Sequence, residues 1–249
     1  MQYLKKELKK HFSDFQDNLK KEYVRAFADL ETEELQYLES YERLSTLEAW
    51  RAYILEQAID SNSLDFFIEA QNDALLSHAW ARIGSWRPAL QALRSVLENT
   101  LFCLYYKDHP VEYILWEQGQ DKIATSELIN YLAKHPQYQS VDDKITYVSR
   151  LKKEYSTLSK AVHGSSKGFR MTSSTRFPAL MVADSIKLSQ WVAREKQVIL
   201  IVNQLLLTMF IEYLQGTKLR DLRKSISLVI PHKLHDEIKE KFNIHLFKA

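Results

Sequence analysis

The chain has 249 residues, 34 basic and 32 acidic side chains, one cysteine, five glycines and five prolines. A net charge of +2 excludes the strongly basic balance of a protein that binds nucleic acid by overall charge, though not a local basic patch. One cysteine excludes an internal disulfide, and so few glycines and prolines argue for long helices over hairpins and tight crossovers.

From the amino terminus, Leu4, Leu8, Phe12, Phe15 and Leu19 recur every three or four residues, which predicts one or two amphipathic helices over residues 3–38. That start is charged and lacks the apolar core of a signal peptide, so a cytoplasmic protein is expected. Ser45-Thr46-Leu47-Glu48 has the form of a capping box and predicts a helix from Leu47 to Ile59. Asp60-Ser61-Asn62-Ser63 then caps a helix from Leu64 to about Ile83. Gly84-Ser85-Trp86-Arg87-Pro88 ends it and starts another over Trp86–Tyr106, with Leu90, Leu93, Leu97, Leu101 and Leu104 on its inner side. Cys103 lies in this apolar run and reads as a small buried hydrophobe.

Short helices are expected at 112–118 and 124–132. Ser140-Val141-Asp142-Asp143 caps a helix running to His163, closed by Gly164. Residues 164–178 are polar and basic and read as a loop. A long helix is expected over 179–215, followed by a tail with a last helix near Pro231. The stretch Val198 to Ile211 is the most lipophilic, but Asn203, Gln204 and Thr208 interrupt it, and a membrane span needs roughly 20 mostly apolar residues. The expected fold is all-α: a bundle within residues 61–216, with helical additions at 1–60 and 217–249.

Tyr155, Ser159 and His163 recur at four-residue intervals and share one helix face. His163 suits proton transfer near neutral pH, with an unperturbed pKa of about 6.5, and equally suits a helix C-terminus, where imidazolium gains roughly 0.3–1 kcal/mol. Arg94 and Glu98 form an i,i+4 pair on the preceding long helix. Either they make an ordinary ion pair, or they meet Tyr155, Ser159 and His163 across the bundle. Lys167, Arg170 and Arg176, interleaved with Phe169 and Phe177, combine cations and rings as single-stranded RNA recognition requires; an ordinary surface or protein-docking segment has the same composition. His232 and His235 lack further convergent ligands, and no metal or phosphate-loop motif occurs. Neither metal nor cofactor is expected.

The pattern Ser85-Trp86-Arg87 … Leu93-Arg94-Ser95-Val96-Leu97-Glu98-Asn99 … Tyr155 … Leu158-Ser159 … His163-Gly164 resembles the HEPN-like helical superfamily over roughly residues 64–215. That resemblance implies a helical protein of a bacterial defence, stress or toxin–antitoxin system. It further implies a metal-independent endoribonuclease whose two chains bring arginine and histidine together around RNA. His163 takes the place of the family histidine. The family arginine has no counterpart at its usual place, where Glu154–Leu158 stand and Arg150 is thirteen positions upstream of His163; what the resemblance implies for the cation then falls to Arg94, from the neighbouring helix, or to Arg170. The expected partners are RNA, a protein partner within such a system, and a second copy of the chain. The alternative is a non-enzymatic regulatory or partner-binding subunit.

Overall fold

The structure is a computed structural model and describes residues 2–163, 171, 180–216 and 219–247. It is all-α. The helices are α1 (Gln2–Asp29), α2 (Glu34–Trp50), α3 (Glu56–Ala58), α4 (Ser61–Arg82), α5 (Trp86–Tyr106), α6 (Pro110–Glu117) and α7 (Thr125–Lys134). They continue as α8 (Pro136–Gln139), α9 (Asp143–Thr146), α10 (Val148–Val162), α11 (Ser185–Met209), α12 (Ile211–Leu214), α13 (Arg220–Ser227) and α14 (His235–Phe242). Among the described residues there is no strand, only an isolated bridge between Gly216 and Ile244.

Three aspartates start helices in the same way. Asp60 accepts from the Ser63 amide at 3.0 Å, Asp142 from the Lys144 amide at 2.9 Å, and Asp184 from the Ile186 and Lys187 amides at 2.9 and 3.1 Å. Each satisfies a helix donor with no intrahelical partner. Pro110 and Pro136 begin α6 and α8, where a missing N–H costs nothing. Gly84 turns the chain between α4 and α5 at φ +69°, and a Cβ there would sit 2.4 Å from the Val182 carbonyl oxygen.

The core is built on α11, whose Trp191, Val198, Ile199, Ile201, Val202, Leu205 and Leu206 are buried. Against it pack Leu93, Val96, Leu97, Leu101 and Leu104 of α5, and Leu151 and Leu158 of α10. Each such side chain contributes roughly 1.5–3 kcal/mol relative to exposure. Ala70, Ala74 and Ala81 of α4 are buried and small, so α4 and α5 approach closely, tied by Ser77 Oγ donating to the Ala89 carbonyl at 2.8 Å. Helix α2 joins the same core through Leu44, Leu47 and Trp50. Two buried polar ties fix its register on α11. Trp50 Nε1 donates to Asn203 Oδ1 at 2.9 Å, and Arg43 donates twice to Glu195 Oε2, at 2.8 and 2.6 Å. Leu222, Ile226 and Ile238 of the tail pack there too.

Three expectations about elements are corrected. Ser45–Glu48 starts no helix: α2 runs through it, Thr46 Oγ1 donates back to the Arg43 carbonyl at 2.7 Å, and Glu48 pairs with Arg51. The helix expected from Asp142 to His163 is two, because Tyr147 adopts φ 58° between α9 and α10. The helix expected over 179–215 starts at Ser185 and is interrupted at Phe210, where φ is −112° and ψ 29°.

Candidate functional site at one end of the bundle

Helices α5 and α10 lie antiparallel. Arg87 Nη2 donates to the Val162 carbonyl at 2.7 Å, and seven residues along each helix Arg94 Nη2 donates to Tyr155 Oη at 2.8 Å. Arg94 Nη2 also reaches Glu98 Oε1 at 2.8 Å, and the Tyr155 hydroxyl lies 2.8 Å from the same oxygen. Thr125 Oγ1 of α7 completes the group, 3.2 Å from Glu98 and 3.1 Å from Tyr155. Burial disfavours the charge on Arg94, but the Tyr155 hydroxyl and Glu98 outweigh it, so the guanidinium is held above its ordinary value. Arg94, Glu98 and Tyr155 therefore meet across the bundle and form a half-buried clasp holding α5, α7 and α10 together.

Ser159 and His163 stand apart from that clasp. The Ser159 hydroxyl donates back to the Tyr155 carbonyl at 2.8 Å. His163 is exposed just after α10, and its backbone N–H donates to the Ser159 carbonyl. Eight residues separate it from Tyr155, about 12 Å along the helix axis. Across the helix pair it is Arg87, not Arg94, that bonds the residue before it, Val162. Lys167, Arg170 and Arg176 lie outside the described residues.

The His163 end of the bundle holds a recess of about 360 Å³. It opens where α5 begins, α10 ends and α11 begins. Trp86, Leu90 and Trp191 form its apolar floor, and Thr157, Lys187, Gln190 and Arg194 its polar rim. Both indole N–H groups are spent, Trp86 on the Val182 carbonyl at 2.8 Å and Trp191 on Ser77 Oγ at 3.0 Å, so the small part of the rings that reaches the cavity, on residues 4% and 1% exposed, is hydrocarbon. Arg194 Nη1 donates to Glu154 Oε2 at 2.8 Å while its side chain stays 34% exposed. Glu154 is 4% exposed, and its other carboxylate oxygen has no hydrogen-bond partner. Burial pushes its carboxyl above the usual range against the pull of Arg194 and Lys153. Val182, joined by its amide to the Gly84 carbonyl at 3.0 Å, and His163 bring the chain on both sides of residues 164–179 to this end.

Sequence reasoning missed Lys187, Gln190, Arg194 and Glu154 as site residues, and took Trp86 as a helix start and as part of the HEPN-like pattern without assigning it a contact. Glu154 alone carried a signal: it stands three residues after Leu151 and four before Leu158, on the inner stripe of its helix.

Two other histidine groups are structural. His135 places Nε2 3.5 Å from Asp108 and accepts the Gln137 amide at Nδ1, so both ring nitrogens are engaged. His235 contacts the Ile230 carbonyl and is buried. Among the described residues no three His, Cys, Asp or Glu side chains converge as metal ligands, and no helix is long and apolar enough to cross a membrane. No family model, curated protein or solved structure matches this chain.

Proposed function

We propose that the protein binds single-stranded RNA at this end of the bundle, receiving an unpaired nucleotide in the Trp86–Trp191 recess. The reading is carried by one observation: an apolar, indole-floored cavity with Lys187 and Arg194 on its rim. A base gains from contact with aromatic surface, and its phosphate gains from cations placed a few ångströms away. Lys167, Arg170 and Arg176 fall in sequence between two anchors at this end, His163 and Val182.

The HEPN-like resemblance, and with it a role in a bacterial defence or stress system, belongs to the same proposal. His163, exposed at this end of the bundle, would take the proton from a ribose 2′-hydroxyl as its oxygen bonds to the adjacent phosphorus and the bond from phosphorus to the 5′-oxygen breaks, leaving a 2′,3′-cyclic phosphate and a 5′-hydroxyl that takes its proton from the imidazolium or water. Lys187 or Arg194 would meet the developing phosphoryl charge. Arg94, half-buried in the clasp with Glu98 and Tyr155, holds the helices that carry the site, whereas Arg194 lines the recess and stays 34% exposed while paired with Glu154. A partner-binding subunit is the second reading. It is favoured by α6, which exposes Val111, Ile114 and Leu115 on one side.

Fluorescence anisotropy with a labelled unstructured RNA tests the first reading. Wild type binds with a steep loss of affinity on adding salt, and Lys187→Glu weakens binding tenfold or more, a difference of about 1.4 kcal/mol. His163→Ala keeps binding and abolishes any cleavage. Equal affinity of wild type and Lys187→Glu would sink the recess as the binding site.

A further inference from the structure

Helix α1 leaves the body and carries an apolar stripe on which, among the described residues, little is packed. The stripe begins on the body, where Ala26 and Leu30 are buried. Toward the amino terminus it continues uncovered, with Leu8 55%, Phe12 60% and Phe15 52% exposed. The spacing is that of a helix–helix seam. Lys5, Leu8, Phe12, Phe15, Leu19, Glu22 and Ala26 alternate three and four residues apart, as the a and d positions of a coiled coil do.

We infer that this seam is closed by α1 of a second copy of the chain, running antiparallel about a two-fold axis between residues 13 and 14. A closed two-fold interface must be self-complementary, and in this one register the seam is. Leu8 of one protomer faces Leu19 of the other, and Phe12 faces Phe15. Lys5 shares a layer with Glu22, the only two charges within the seam between Lys5 and Glu22. Outside it, Leu4 comes level with Tyr23, both exposed. A parallel in-register pair would instead set Lys5 on Lys5 and Glu22 on Glu22, with like charges in two core layers.

The landing place of the partner's first turn fits as well. Glu22, Arg25, Ala26 and Asp29 line one side of a groove of about 260 Å³, with Met181–Ala183 opposite. Of its two carboxylates Glu22 stands level with the partner's Lys5, while Asp29, a turn or two further on, pairs with Arg25 at 3.4 Å. The paired stretch from Leu4 to Tyr23 is roughly 30 Å long. Six large apolar side chains from each protomer bring the buried area to about 1,000 Å², the size at which a specific interface becomes stable. A lipid surface would fit this face less well, because Glu22 lies in the stripe and the lysines of the polar side, Lys6, Lys9, Lys10, Lys20 and Lys21, are offset by Glu7, Asp14 and Asp17.

Sedimentation equilibrium on the full chain reads the result. Wild type should have twice the chain mass of 29.3 kDa. Phe12→Glu/Phe15→Glu should give monomer with unchanged circular dichroism, since both side chains lie on the exposed helix. Lys5→Glu and Glu22→Lys singly should each raise the dimer dissociation constant about tenfold or more. The double variant Lys5→Glu/Glu22→Lys should restore it to about threefold of wild type, because exchanged charges still face each other only when the helices run antiparallel. Monomeric wild type, a dimer that survives Phe12→Glu/Phe15→Glu, or absence of rescue in the charge exchange would each overturn the assignment. So would a monomer that cosediments with phosphatidylserine vesicles.

Discussion

Replacing Arg43 by Met leaves Glu195 in the core without its cation, and the loss should depend on pH. Glu195 is fully buried, its Oε2 holds two bonds from Arg43, and its Oε1 has no partner. Even with Arg43 in place, burial pushes the carboxyl up to about 7, against the lowering by Arg43 and Lys196. A group whose folded pKa exceeds its unfolded value binds more protons when folded, so its contribution is full below about 4.5 and is lost as pH rises through about 7. Between those limits the difference is on the order of 3 kcal/mol. His78, close by, acts in the opposite sense: burial lowers its pKa, so its contribution is lost as pH falls through its folded value. Removing Arg43 raises the Glu195 pKa further. Arg43→Met should therefore cost about 3–5 kcal/mol at pH 8, where the carboxyl must either stay charged without its cation or hold a proton against the solvent, and distinctly less at pH 5, where it is protonated with or without Arg43. Arg43→Met/Glu195→Leu removes both charges at similar volume and should regain most of the loss. Urea unfolding at both pH values, followed by the fluorescence of buried Trp50 and Trp191, gives the comparison, and the difference between the two variants cancels the titration of His78. Equal destabilisation of single and double variants at pH 8 would refute the claim that an orphaned carboxylate is the cause.

Gly84→Ala should destabilise by about 1–3 kcal/mol, since it demands a left-handed alanine and drives Cβ to 2.4 Å from the Val182 oxygen; thermal melting measures this, and RNA affinity should fall with it because Val182 braces Trp86. Tyr155→Phe should cost about 1–3 kcal/mol by stripping the hydroxyl shared by Arg94, Glu98 and Thr125. Ser159→Ala, on the same helix face, should stay within about 0.5 kcal/mol, because its hydroxyl bonds only back to Tyr155; chemical denaturation of the two side by side separates clasp from bystander.

The helices with local start and stop chemistry were legible from the chain. The expected span of α5, Trp86–Tyr106, is the observed one although the Ser85 hydroxyl makes no capping bond, and α4 follows from the Asp60 cap. Elsewhere a local pattern was overruled by packing. Ser45–Glu48 satisfies the capping pattern, but Tyr37, Leu44 and Leu47 form one inner stripe that continues through it. Buried Thr46 accepts from the Asn203 amide at 2.9 Å, so a break there would cost a core contact. The reverse holds at Tyr147, where no glycine announces the left-handed turn. The residue is buried, and the Arg150 guanidinium lies 5.0 Å from its ring centroid; tertiary contacts hold what local preference resists.

The site shows why periodicity alone could not assemble it. A four-residue interval fixes the direction in which Tyr155, Ser159 and His163 point, but each step also rises about 6 Å along the axis. Which partner each side chain meets is then decided by how α5 slides against α10. Two bonds set that slide: Arg94 to Tyr155 and Arg87 to the Val162 carbonyl. They place the clasp in the body of the bundle and His163 at its rim. The recess lined by Trp86, Thr157 and Trp191 needs side chains from α5, α10 and α11 that are about 30 to 100 positions apart, so no window of sequence contains it. What a window does contain is a single helix whole, and the seam of α1 is legible for that reason. Its partner is another copy of the same residues, and its complementarity can be read by reversing one segment against itself.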